Sequence, residues 1–277
     1  MRLLTHPRRG AGLFSLLVLL AILALLAALL LPAIQKVREA ANRMRSANNL
    51  KQMALSIHMF HNDYNQFPKA GKGAPTAQKQ LDDGSWCFHI LPYMEQDNLY
   101  RSILGGQPGN VAVPTNYCPG RRPPQAYNGR SKIDYAGCVG TADDPEKPDK
   151  ENGMIVYKDR ITFAKILDGT SNTVMLGEKW INPADYLTGT GDGDKDSCWI
   201  GGKVDALRSS NGDQRPPHRD LVPGNYHRGF GSPFSGGCNF AFGDGSVRVV
   251  RYTIKPQVFA YLCDRADGNV IDPNDLD

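Results

Sequence analysis

The chain has 277 residues, 41% of them apolar, with six cysteines and 32 Lys and Arg against 28 Asp and Glu, a formal charge of +4. The first 65 residues carry +6 and the remainder −2, so the basic surplus lies outside the part that must fold as a head. A nucleic-acid-binding module would concentrate that charge in its folded domain, which excludes the class; anionic lipid head groups are the natural partner of a basic N-terminal segment.

Residues 1–10 form a basic leader ending in Arg8, Arg9 and Gly10. From Gly10 to Ile34 no charge interrupts the sequence, and at ~1.5 Å per residue the run reaches ~36 Å, enough for the ~30 Å hydrocarbon core of a bilayer. A cleaved secretory signal has a shorter apolar region and then a small-residue cleavage site, whereas this run passes through Pro32 into a polar helical pattern. Residues 11–34 therefore read as the transmembrane part of one long helix and 35–65 as its amphipathic, exported part. In the latter, Val37, Ala40, Ala41, Met44, Ala47, Leu50, Met53, Ala54, Ile57, Phe60 and Tyr64 recur at spacings of three and four. Asn62, Asp63 and Pro68 mark the stop.

This N-terminus resembles that of type IV pilins and pseudopilins, with their prepilin-type N-terminal methylation motif. The resemblance implies removal of the leader after Gly10 by a prepilin peptidase, a mature chain starting at Ala11, and a helix kink at Pro32, the twenty-second residue of that chain. The family usually begins Phe-Thr-Leu-Ile-Glu, with the Glu pairing with a neighbouring subunit's amine inside the membrane. Here the positions are Ala11, Gly12, Leu13, Phe14 and Ser15. Without the buried carboxylate both its desolvation cost and its pairing are removed, which points to a minor or tip subunit.

Residues 66–277 are expected to form an exported α+β head. His58 and His61, near the end of the rod, read as interface or capping residues. Lys69 to Gln80 is a Gly- and Pro-containing loop. Trp86 to Met94 followed by Glu95, Gln96 and Asp97 suggests a short second helix, and Arg121-Arg122-Pro123-Pro124 an exposed loop. Tyr135 to Gly140 reads as a strand, Ile155 to Ile166 as strand, turn and strand, and Thr173 to Gly177 as another strand after an Asx-type turn at 168–172. Glu178 closes that strand and is the acid singled out for a role. Asp192, Asp194 and Asp196 alternate as oxygen ligands do in calcium loops, though Lys203 stands where an EF-hand has its Glu; Ca²⁺ is the only cofactor this pattern suggests. Asp244 and Gly245 between two alternating apolar runs signal a hairpin with a type I′ turn. Pro256 to Cys263 reads as a helix packing Val258, Phe259 and Leu262 onto the sheet.

Five motifs in order, AANRMRSANNLKQMALSIHMFHNDYNQFP at 40–68, SWCFHILPYMEQDNLY at 85–100, YAGCVGT at 135–141, DGTSNTVMLGE at 168–178 and GGCNFAFGDGSVRVV at 236–250, make the chain similar to a large bacterial family of pilin-like proteins, domain-of-unknown-function family 1559. Its members carry a His ahead of the Asp-Gly turn; Phe234 stands there in this chain, so any mechanism using that His is lost, and His227 is the nearest substitute.

Cys87, Cys118, Cys138, Cys198, Cys238 and Cys263 form an even set without metal-ligand spacing, which suits disulfides in an oxidising compartment. Fifteen connectivities are possible for six cysteines. Cys118 with Cys138 would close the shortest loop and is the expected pair, worth on the order of 3 kcal/mol. Lys36, Arg38, Arg43, Arg45 and Lys51 follow the span and outnumber Arg2, Arg8 and Arg9 before it, a count that favours the opposite orientation; long domains translocate largely regardless of charge, and the resemblance implies an exported C-terminus.

No nucleophile elbow, zinc-protease helix, phosphate loop or dinucleotide fingerprint occurs, so an enzyme is not expected. The leading expectation is an α+β protein: a long N-terminal helix packed on an antiparallel sheet with irregular loops. It would serve as a structural subunit of a bacterial envelope filament or a type II secretion-like apparatus, held in the inner membrane with an extracytoplasmic head. Its partners would be membrane lipid, other pilin-like subunits through the N-terminal helix, and prepilin peptidase. The rivals are a membrane-tethered module binding glycan or protein, with Ca²⁺ if the acidic loop holds it, and a tethered hydrolase using His227 or Glu178.

Overall fold

The structure is a computed structural model that describes residues 9–78, 81–107, 109–211, 214–224, 226–272 and 275, with side chains from 14 onward. Most of the leader, and the side chains of Gly10 and Ala11, lie outside the described residues. The chain divides into two compact units, Met1–Ala41 and Asn42–Asp277.

Helix α1 runs from Arg9 to Tyr64 with Pro32 inside it. Leu and Ala, the strongest apolar helix formers, fill its first half, and its large apolar side chains there are exposed, from Phe14 at 70% to Ile34 at 52%. Among the described residues it is the one helix long and apolar enough to cross a membrane. Its other half, from Asn42, belongs to the second unit. There Ser46, Leu50, Met53, Ala54, Ile57, Phe60 and His61 are buried at three- and four-residue spacing, the period that brings side chains onto one helix face. Val37, Met44 and Tyr64, assigned to that apolar stripe from periodicity, are exposed instead. The helix ends where Asn65 turns left-handed (φ 51°) and donates its N–H to the His61 carbonyl at 2.7 Å, a C-terminal cap of the αL type.

Three short helices follow: α2 (Trp86–His89), α3 (Asp97–Leu104) and α4 (Pro256–Cys263). The strands are β1 (Tyr135–Cys138), β2 (Val174–Glu178), β3 (Leu207–Arg208), β4 (His218–Arg219), β5 (Gly231–Ser232), β6 (Cys238–Phe242) and β7 (Val247–Val250). Five form one sheet in the order β3-β1-β2-β6-β7, and β4 pairs with β5. The main sheet is mixed, because the edge pair β1 and β3 runs parallel while the other neighbours are antiparallel. The fold is thus α+β as expected, but its sheet is not purely antiparallel.

Alternation along β1 and β6, and a register shift between Val174 and Leu176 of β2 that turns these two residues to opposite faces, divide the core into two layers. Tyr135, Leu176 and Ala241 join Leu50, Met53, Ile57, Trp86 and Phe88 on one face. Ala136, Val174, Phe240 and Phe242 join Val258, Phe259 and Leu262 of α4 on the other. At ~1.5–3 kcal/mol for each large apolar side chain, Leu50, Met53, Ile57 and Phe60 supply on the order of 10 kcal/mol of gross burial to the docking of α1, an upper bound.

Two local expectations need correction. Residues 154–166 contain no strand; Phe163–Lys165 is instead a 3-10 turn. The hairpin between β6 and β7 is present, but Gly245 (φ +77°) is left-handed and Asp244 is not. Gly245 N–H donates to the Phe242 carbonyl and Phe242 N–H to the Ser246 carbonyl, both at 2.9 Å. That is a turn closed by a glycine bulge, not the type I′ turn.

Candidate functional site at the helix–sheet junction

Glu178, the last residue of β2, is fully buried where α1 meets the sheet. Ser46 Oγ of α1 donates to its Oε1 at 2.5 Å, the Asn239 backbone N–H to Oε2 at 2.8 Å, and Asn239 Nδ2 to Oε1 at 3.1 Å. Tyr135 stands opposite Glu178 across the β1–β2 pair, and its hydroxyl lies 2.9 Å from Ser46 Oγ. Asn49, one turn along α1, donates to that hydroxyl at 3.1 Å and to the Tyr117 carbonyl at 3.0 Å. Burial pushes the Glu178 carboxyl above the usual range despite the Arg121 charge and these donors. One carboxylate at the end of β2 therefore gathers donors from α1 and β6.

The Asp244-Gly245 turn grips the same helix further along. Lys51 Nζ donates to the Gly245 carbonyl at 2.7 Å, and a Cβ at Gly245 would lie 3.3 Å from His58 Nε2. Glycine is favoured here by the positive φ, and a Cβ would also press tightly on the His58 ring. The segment 85–100 covers another side of the helix: Ser56 Oγ donates to the Tyr93 carbonyl at 3.1 Å, and Phe60 packs against His89 and Tyr93 with ring centroids 5.8 and 6.2 Å away. His61 contacts Phe67 and Phe163 at 4.8 and 4.4 Å, the interface role its position suggested. Burial lowers His89 to about 4; burial and Lys51 lower His58. All five sequence motifs thus supply the rod or its socket around Glu178 and Gly245. Asp168, which opens the motif that ends in Glu178, accepts the backbone N–H groups of Asp267 and Gly268 at 2.8 and 2.9 Å, fastening the chain after α4.

A second polar centre was not legible in the sequence. Arg121 and Arg122, expected to be exposed, are buried. Arg122 Nη2 lies 2.5 Å from Asp134 Oδ1 and its Nη1 2.5 Å from Asp194 Oδ2; Lys179 Nζ lies 3.0 Å from Asp194 Oδ1. Arg121 Nε pairs with Asp220 Oδ2 at 2.8 Å, and the Tyr186 hydroxyl donates to the same oxygen at 2.6 Å. Burial works against an ionised Asp194, but Lys179 and Arg122 outweigh it and hold the carboxyl well below the usual range. Nothing local in Cys118-Pro119-Gly120-Arg121-Arg122 distinguishes a buried arginine pair from a solvated one, because its partners lie 12 to 99 residues away.

In this network the three aspartates suggested as calcium ligands face protein cations instead. Both Asp194 oxygens are taken by cations, Asp196 is shared between Arg130 and Lys203, and Asp192 is exposed beside Lys195. Among the described residues no three His, Cys, Asp or Glu side chains gather as a metal site. The Cys118–Cys138 expectation is corrected: all six cysteines are free and buried. Cys118 Sγ faces Glu178 Oε1 at 3.9 Å, whereas Cys138 lies against Cys263, since Cys118 belongs to the core layer with α1 and Cys138 to the layer with α4.

His227 lines a cavity of about 240 Å³ with Asp144, Asp192, Asp196 and Arg228, and Glu178 is not among its walls. Arg228 Nε donates to His227 Nε2 at 3.1 Å, and burial with Arg228 and Arg208 lowers the imidazole. Phe234 is buried with its ring 2.7 Å from where a Gly120 Cβ would sit, so that position packs apolar surface. His227 and Glu178 do not share a cavity, and Glu178 is occupied in holding α1.

The model of a protein family described as a protein of unknown function, DUF1559, matches residues 35–257. No curated protein matches the chain, and no solved structure matches it.

Proposed function

Because the chain belongs to the DUF1559 family of unknown function, we propose its role from its own geometry: a membrane-anchored, pilin-like structural subunit whose head is held outside the inner membrane. The observation that carries this reading is α1 itself. A charge-free stretch with exposed apolar side chains from Phe14 to Ile34 belongs to the same helix whose residues from Ser46 to His61 are clasped by a folded head. Such a stretch is costly in water, at ~25 cal/mol per Å² of apolar surface, and is covered either by lipid or by other helices. The family resemblance supports the second as well as the first, which makes the chain a minor or tip subunit of an envelope filament or a type II secretion-like apparatus. Processing at Gly10 by prepilin peptidase and an extracytoplasmic C-terminus belong to the same proposal. So does the absence of catalysis: Glu178, the buried acid of the junction, is enclosed by donors that fasten the helix and is not open to a substrate.

Cysteine-directed cross-linking in isolated membranes tests the assembly. Leu23→Cys is expected to give a ladder of cross-linked copies, or a heteromeric species with another pilin-like chain. A Leu23→Cys chain that stays monomeric at every cross-linker length, with a mature N-terminus other than Ala11 on Edman sequencing, would overturn it in favour of a solitary tethered module.

A further inference from the structure

The six thiols have two kinds of surroundings. Cys118 and Cys238 each lie against Glu178, at 3.9 Å from its Oε1 and 3.8 Å from its carbonyl oxygen. The other four sort into pairs. Cys87 Sγ of α2 lies 3.0 Å from the Cys198 carbonyl, and burial together with the neighbouring Cys87 pushes the Cys198 thiol up. Cys138 Sγ at the end of β1 lies 3.9 Å from the carbonyl of Cys263, the last residue of α4, and burial together with the neighbouring Cys138 pushes the Cys263 thiol up. Both pairs are buried and join segments remote in sequence, 111 and 125 residues apart. Neither pair is predictable from spacing, because only the tertiary fold brings the partners together.

We propose that in the exported head Cys87 joins Cys198 and Cys138 joins Cys263 as two disulfides, while Cys118 and Cys238 remain thiols. The proposal rests on the extracytoplasmic reading, since an oxidising compartment supplies the disulfide-bearing thiol oxidant the chemistry needs. One cysteine thiolate attacks the oxidant's S–S bond, forming a mixed disulfide and releasing one oxidant thiol. The partner thiolate attacks the mixed disulfide, forming the Cys–Cys bond and releasing the second oxidant thiol. Two electrons and two protons thus pass to the oxidant for each bond. Burial places the exchange during folding, before the pairs close. The first bond would fasten α2 to the segment leading into Trp199, and the second would staple α4 to the sheet. Because both close long loops, both restrict the unfolded chain strongly.

The test uses the full chain extracted from its native membrane, denatured without reductant in the presence of N-ethylmaleimide so that the buried free thiols are blocked as they become exposed, and then digested. The expected result is two linked peptide pairs, Cys87 with Cys198 and Cys138 with Cys263, with the label on Cys118 and Cys238 only. Reduction is expected to lower the thermal midpoint by about 10 °C. Label on all six cysteines, or any other linkage, overturns the proposal. A second arm separates its two foundations: the same chain refolded in detergent with a glutathione redox buffer. If the two predicted pairs form there while the native chain is fully labelled, the extracytoplasmic reading is at fault; if other pairs form, the geometric pairing is.

Discussion

The molecule buries charge in two contrasting ways. At the helix–sheet junction a single carboxylate, Glu178, is surrounded by neutral donors from α1 and β6. In the loop-rich half, Arg122, Lys179, Asp134 and Asp194 cancel one another as full charges. A lone carboxylate can be satisfied by small donors that a helix and a strand present at fixed register, so it suits a joint between regular elements. Irregular loops have no such register, and long cationic side chains reach between them instead, at the risk that removing one partner strands the rest. The first arrangement holds the rod; the second holds the head around it.

That contrast can be broken by substitutions. Asp194→Asn has the largest expected effect, a loss of about 3–5 kcal/mol, because Arg122 and Lys179 would lose their shared counter-charge; a urea unfolding midpoint on the detergent-solubilised chain checks it. A loss below 1 kcal/mol would mean that water or rearranged partners compensate the cations.

The pH dependence of the junction comes next. His89 is buried without a partner on Nε2, and burial lowers it to about 4 from 6.5. The unfolded chain therefore binds the proton first, and stability is lost as pH falls from 6.5 toward 4, by up to about 3 kcal/mol. His89→Phe should flatten that limb of a stability-against-pH curve.

Glu178→Gln is expected to cost about 1–3 kcal/mol by turning an amide N–H₂ toward donors that need an acceptor. Since the Glu178 carboxyl is raised, the folded wild type keeps its proton to higher pH than the unfolded chain. The wild type thus loses stability as pH rises through that window, and its advantage over the variant should narrow there, measured by paired denaturation series. Gly245→Ala is expected to cost about 1–2 kcal/mol, from the left-handed φ and the crowding against His58. Asp192→Ala, at an exposed position, should stay within about 0.5 kcal/mol of wild type, with no change in thermal midpoint on adding Ca²⁺.

Much of the fold was legible where one period dominates a stretch. The docked face of α1, the β6 and β7 hairpin and α4 all repeat their apolar residues at three to four or at two, and each formed where expected. The periodicity failed at Val37 and Met44, since a repeat identifies an apolar face but not where along the helix its cover ends. It also failed at residues 154–166, where Ile155 and Val156 are buried in a segment paired to no strand ladder. Of the site, Glu178 and the Asp244-Gly245 turn stood out as an acid ending an apolar strand and a turn signal between alternating runs. Ser46 and Asn49, its contacts on the rod, look like ordinary polar helix positions.

By itself the sequence determined the apolar span, the rod's helicity, the strand-turn-strand signature and the family, because each depends on residues that are neighbours along the chain. Only the tertiary structure decided that Asp194 answers Arg122 and not a cation from solution, that Cys138 meets Cys263 and not Cys118, and that Glu178 is closed over by α1. Those outcomes depend on which distant side chains share a low-dielectric interior, where an unsatisfied charge costs several kcal/mol and where partners are chosen by the packing of loops that carry no period of their own.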